Sequence, residues 1–223
     1  LDRELTAVMI RTVTGLELYD IFNYRSRIGL HTLPGSRLED VKLFAIGQDG
    51  TIGGLLLEHT GKAVLINSNV DAVPSPACAE WLESGGTGVP PADIPPTYYA
   101  VVGPQAEAAF IGSSFGAFNY TPQNGFICNG DLKLFGCHLR ASAVYGALLN
   151  RGRLDAEGCL FSHVGRIVSG GFIDQKPEEA ADTFNENETE ELTLNGCLFR
   201  VFDNHLPAKG ENATHSGNGV TPY

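Results

Sequence analysis

The chain has 223 residues, 43% of them hydrophobic and 18% charged, with a formal net charge of −11. That length supports one sizeable core, and that apolar content excludes a disordered chain. The acidic balance argues against electrostatic binding to nucleic acid or an anionic membrane surface, and no apolar run approaches the roughly 20 residues of a membrane helix.

Glycine is abundant at 27 residues, against roughly 16 in a chain of this length at the average of about 7%. Much of the excess is periodic. A pattern of apolar-x-apolar-x-small/polar-small-x-apolar recurs along the chain. It begins with Leu16, Leu18, Asp20, Ile21 and Asn23, where the last position is polar. A degenerate copy follows at Leu38, Val41 and Leu43, then Ala63, Leu65, Asn67, Ser68 and Val70. The next copies are Ala108, Phe110, Gly112, Ser113, Phe115 and Leu132, Leu134, Gly136, Cys137, Leu139. The last are Leu154, Ala156, Gly158, Cys159, Phe161 and Leu192, Leu194, Gly196, Cys197, Phe199. The steps between starts are 22, 25, 45, 24, 22 and 38 residues. A second element, Gly-x-apolar-apolar and then Gly, stands at Gly125, Gly146 and Gly165, and in looser form at Gly54 and Gly29.

Apolar residues alternate with period two inside each copy, which predicts short strands with one buried face. The phase slips by one residue at the small position, as at Phe135–Gly136. A sharp corner does this, and Gly or Asn suits it by tolerating positive φ. Each copy is then one coil of about three strands, and coils stack about 4.8 Å apart with their strands in parallel. No coil buries its apolar face alone. The expected fold is all-β: a right-handed, single-stranded parallel β-helix of about seven coils over residues 1–206, followed by an irregular tail at 207–223. The coils resemble those of the right-handed parallel β-helix repeats of the pectin-lyase-like superfamily, over roughly residues 5–205. That resemblance implies the fold.

In chain order, Leu1 to Val13 carry no signal peptide. Leu5 to Val13 read as the last strands of an earlier coil, so more β-helix upstream or another chain should cover that edge. Residues 71–107 are the first insertion, rich in proline and glycine, with Trp81, Tyr98 and Tyr99 as candidate ligand-binding residues. Residues 77–83 could form a helical turn or two. Residues 172–190 are a second, acidic insertion. Sequons at Asn119, Asn187 and Asn212 fit an extracellular setting.

The outward positions of the first strand of each coil include Glu17 and Tyr19, Val64 and Ile66, Ala109 and Ile111, Lys133 and Phe135, Asp155 and Glu157, Thr193 and Asn195. Its apolar middle should be covered, by the proline-rich insertion or by a subunit. Asp155 and Glu157 lie two residues apart on one face, roughly 6–7 Å from each other. With Lys133 one coil away they are candidates for acid/base work. On the second strand the outward column holds Arg140, Ser162 and Arg200, with His138 and His163 nearby. There an arginine could neutralise a uronate carboxylate while a second basic group abstracts a proton.

Polygalacturonase-type glycosidases carry Asn-x-Asp, Asp-Asp, Gly-His-Gly and Arg-x-Lys motifs. Asn69-Val70-Asp71 matches the first, while Ser162-His163-Val164-Gly165 matches half of the third. No Asp-Asp occurs, and Arg166-Ile167-Val168 lacks the lysine. Cys137, Cys159 and Cys197 share one inward column as buried free thiols, and their spacing does not suit zinc.

Two functions follow. The first is a structural or adhesive segment of a larger secreted, cell-surface or virion fibre protein, with other copies or segments of the assembly as partners and possible contact with glycans. The alternative is a lyase or hydrolase on an acidic polysaccharide, with Asp155, Glu157 and Arg140 as catalytic candidates and Lys133, His163, Trp81, Tyr98 and Tyr99 as ligand contacts. No cofactor is expected, except calcium under the lyase alternative.

Overall fold

The computed structural model describes residues 5–73, 77, 80, 84, 97–116, 124–140, 142–149, 152–169, 191–201, 213–216 and 219–220. It is the expected parallel β-helix, with three sheet faces built from stacked rungs. The first face runs through Glu17–Tyr19, Arg37–Phe44, Thr60–Ile66, Ala106–Ile111, Asp131–Phe135, Arg153–Glu157, Glu191–Asn195 and Ala213–Ser216. The second runs through Phe22–Tyr24, Gly47–Thr51, Asn69–Ala72, Ser114–Phe115, His138–Leu139, Leu160–Ser169, Leu198–Val201 and Gly219–Val220. The third runs through Thr6–Ile10, Ile28–Thr32, Gly53–Leu57, Tyr98–Val102, Asn124–Cys128 and Ser142–Leu149, and the far half of Leu160–Ser169 completes it. Each strand pairs in parallel with its equivalent one coil on.

The corner between the first and second faces lies where the pattern slips phase. Asp20, Ala45, Asn67, Gly112, Gly136, Gly158 and Gly196 occupy it in successive coils, all with φ between 51° and 60°. Nothing lies within 4 Å of a Cβ placed on Gly136, Gly158 or Gly196. Glycine is favoured there by its backbone freedom and not by lack of room.

The recurring Gly-x-apolar-apolar element marks the start of the third face, and there glycine is needed for space. A Cβ on Gly54 would lie 2.4 Å from the Tyr99 carbonyl oxygen, and one on Gly125 would lie 2.3 Å from that of Gly146. Tyr99 occupies the same slot in its own coil and turns its ring into the core, beside Phe115.

The core is one continuous column. Phe110, Phe115 and Phe126 pack edge to face, at 5.1 Å between the first two and 4.8 Å between the last two. Phe161 stacks on Phe199 at 5.0 Å. In the second face the inward position holds Phe199, Phe161, Leu139, Phe115 and Val70, then turns polar at Gln48 and Asn23. Asn23 donates from Nδ2 to Gln48 Oε1, and Gln48 Nε2 is buried without a partner.

Several boundaries differ from the expectation. Leu18 pairs with Leu43, so the second copy starts at Val41 and not at Leu38. Leu38 lies beyond a register shift in the same strand, where Asp40 takes φ 50°. The first insertion is shorter than 71–107, because Asn69–Ala72 and Tyr98–Val102 are ordinary rungs. Of the helical turn expected at 77–83, Ala77 and Glu80 are helical, while Trp81 lies outside the described residues. Residues 172–190 also lie outside them. In the stretch read as an irregular tail, Ala213–Ser216 and Gly219–Val220 add another rung to the first and second faces.

Candidate functional site

The outward parity of the first face follows from the alternation. Glu17, Lys42, Val64, Ala109, Lys133, Asp155 and Thr193 form one column in register. Tyr19, Phe44, Ile66, Ile111, Phe135, Glu157 and Asn195 form the next. Tyr19 stacks on Phe44 with centroids 4.6 Å apart and planes within 4°, and its hydroxyl donates to Glu17 Oε2 at 2.6 Å. Ile111 is 41% exposed and Tyr19 56%. The chain departs at Val73 and returns at Thr97, between the second and third faces, away from this column.

Charges on this face pair along the column beside the ladder. Glu107 accepts from Lys62 and from Lys133, each at 3.2 Å. Burial alone would raise the Glu107 carboxyl, but the hydrogen bonds and charges of the two lysines bring it below its ordinary value. Arg153 holds Asp131 through two hydrogen bonds and lies 3.5 Å from Glu191. Asp155 is half-buried and Glu157 exposed, one coil from Lys133 and Phe135. Lys133 is directed to Glu107 and not to Asp155, so the acid pair and the lysine do not form one cluster.

Arg140 lies across the corner, on the second face. Asp71, Gly116, Arg140 and Ser162 share one register position in successive coils, and the backbone of Arg200 pairs with Ser162 one coil further on. Asp71 is 4% exposed and Ser162 6% exposed, while Arg140 is half-buried. His138 Nε2 lies 2.8 Å from Ser162 Oγ. Tyr99 is fully buried, and its hydroxyl lies where a Gly116 side chain would begin. Burial, and then the Asp71 carboxylate, raise the Tyr99 phenol, while Arg140 opposes them. Tyr99 thus interacts with both Asp71 and Arg140, the His138–Ser162 pair lies further along the same face, and Asp155 and Glu157 stand on another face. Asp71 was visible in the sequence as the end of Asn69-Val70-Asp71. The inward turn of Tyr99 was not, because parity flips at the third-face corner.

Tyr98 stands on the third face, and its ring covers Gly53. Burial, with Glu58 behind it, pushes its phenol up to about 12. His163 is placed on the strand Leu160–Ser169, directly after Ser162.

The position after the corner builds an interior ladder. Ile46 N–H donates to Ser68 Oγ at 3.4 Å, Ser68 N–H to Ser113 Oγ at 3.2 Å, and Cys137 N–H to Cys159 Sγ at 3.4 Å. In return the Cys137, Cys159 and Cys197 thiols donate to the carbonyls of Phe110, Leu134 and Ala156. Cys128, Cys137, Cys159 and Cys197 are buried and free. Among the described residues no three His, Cys, Asp or Glu side chains are grouped to hold a metal ion.

No family model, curated protein or solved structure matches this chain.

Proposed function

We propose that this chain is a structural or adhesive β-helix segment of a larger secreted, cell-surface or virion fibre protein. One observation carries the reading. The acid pair Asp155 and Glu157 projects from the first face while Arg140 lies on the second and Lys133 is held by Glu107, so neither basic group joins the acid pair as a lyase acting on uronates would need. General acid–base catalysis requires them within hydrogen-bond reach of the same proton. What remains is an unbroken stack of parallel rungs with a closed apolar core, which suits a load-bearing scaffold. No helix among the described residues is long and apolar enough to cross a membrane.

A second reading keeps one specific support. Tyr99 interacts with Asp71 and Arg140, the His138–Ser162 pair lies further along the same face, and the half-buried Arg140 would meet the carboxylate of an acidic polysaccharide. Fractionation tests the first reading. The native gene product, followed with an antibody to this segment, should be recovered with envelope, matrix or particle material. Recovery as a free cytosolic protein would overturn it.

A further inference from the structure

The five-residue ladder Tyr19, Phe44, Ile66, Ile111 and Phe135 points away from the core in five consecutive coils. Four steps of about 4.8 Å make it about 19 Å long. It ends at Glu157, the next residue in the same column. An outward apolar strip of this regularity is not needed for folding, since the interior is already closed by its own column of Leu, Val and Phe. It is also a poor platform for sugar rings, because its two central members are isoleucines and lack an aromatic face.

We propose that this ladder docks against the same ladder of a second copy of the chain, with the two rods antiparallel about a two-fold axis through Ile66. The charges beside the ladder select the occupant and the register. With the axis through Ile66, all five apolar residues find apolar partners. Tyr19 faces Phe135 of the other copy, Phe44 faces Ile111, and Ile66 faces itself. In the neighbouring column the same operation sets Glu17 against Lys133 and Lys42 against Ala109, while Val64 meets Val64. Moving the axis half a rung, midway between Ile66 and Ile111, sets Lys42 against Lys133 and Glu17 against Asp155. Moving it to Ile111 sets Phe44 against Glu157. Of these three registers, only that through Ile66 is self-complementary in both shape and sign across these two columns, as a two-fold interface must be. The strip is narrow, so this contact belongs to the weak class below about 1,200 Å² in total.

The proposal rests on the scaffold reading, for which it names a lateral partner, and the two fail separately. Sedimentation velocity on the whole chain should show a monomer–dimer equilibrium that rises through the micromolar range. Glu17→Lys alone and Lys133→Glu alone should each be monomeric, because each sets like charges against one another at both ends. An equimolar mixture of the two should dimerise again, since both cross-pairs are then Lys against Glu. That rescue also shows both variants to be folded. Ile66→Lys should abolish the dimer by placing two ammonium groups on the axis. A wild-type chain that stays monomeric at high micromolar concentration would overturn the proposal and leave the scaffold reading intact. So would dimers that persist in each single charge variant.

Discussion

Lys133 lies in register with Asp155 on the neighbouring strand, yet its ammonium bonds Glu107, 3.2 Å away on the other side. The lysine belongs to a three-member chain, Lys62–Glu107–Lys133, that joins three consecutive coils. Asp155 is left out of it. A double-mutant cycle should measure this. Coupling between Lys133 and Glu107 should be about 0.5 kcal/mol, as for partly exposed pairs, while coupling between Lys133 and Asp155 should be near zero. Chemical denaturation of the single and double variants checks both values.

The corner column makes an opposite pair of predictions. Gly136 and Ala45 occupy equivalent positions with φ of 58° and 51°. An L side chain pays about 1–2 kcal/mol for that conformation. Gly136→Ala should therefore lower stability by about 1 kcal/mol, although nothing crowds the new methyl. Ala45→Gly should be neutral or stabilising by up to about 1 kcal/mol, with part of the gain offset by the looser unfolded chain. Urea midpoints at constant slope would report both.

The serine–cysteine ladder predicts which substitutions the interior accepts. Ser68 and Ser113 perform in their coils what Cys159 performs in its own. Cys159→Ser should cost less than about 1 kcal/mol, whereas Cys159→Val should cost about 1–3 kcal/mol by leaving the buried Cys137 N–H without an acceptor. In a Cys78→Ser variant the thiols of Cys128, Cys137, Cys159 and Cys197 should be silent to a thiol reagent and react once the chain is denatured.

His59 sets a dependence on pH. It is fully buried, with Thr32 Oγ1 at 2.8 Å from Nδ1 and the Glu107 carbonyl at 3.4 Å from Nε2. The Glu107 carbonyl can only accept, so Nε2 carries the hydrogen, and in the neutral ring Nδ1 accepts from the Thr32 hydroxyl. Burial lowers the His59 pKa, against a smaller opposing effect of the Glu107 carbonyl. A lowered folded pKa means the unfolded chain takes up the proton more readily. The contribution is therefore full above about pH 6.5, the unfolded value, and is lost as pH falls toward and through the lowered one. Between about pH 7.5 and pH 5 the melting temperature should fall further for the wild type than for His59→Gln. Equal falls would contradict this.

The period was legible because each coil repeats one local pattern, and parallel stacking keeps the pattern in register. It failed at Leu38 because the register shift beside Asp40 inserts residues that mimic another apolar start. It failed at Ala213 because that rung carries Ala213 and His215 where the neighbouring rung carries Leu192 and Leu194, leaving no large apolar residue to mark it. Outward parity placed Asp155, Glu157, Lys133 and Arg140 on their correct columns, since alternation fixes which side a residue faces. It did not say which neighbour a long side chain chooses, so Lys133 to Glu107 was hidden. Nor did it reveal Tyr99, whose coil replaces the usual glycine with a ring that threads into the core.

The central claim is that this stack of coils is a scaffold and that its dispersed acidic and basic groups do not make a catalytic site. The direct measurement is product formation from uronate-containing polysaccharides, read as unsaturated ends and as reducing ends. The wild-type chain is compared with a variant carrying Asp155→Asn, Glu157→Gln and Arg140→Gln. We predict no product above background for either protein. Cleavage by the wild type that disappears in the variant would contradict the account.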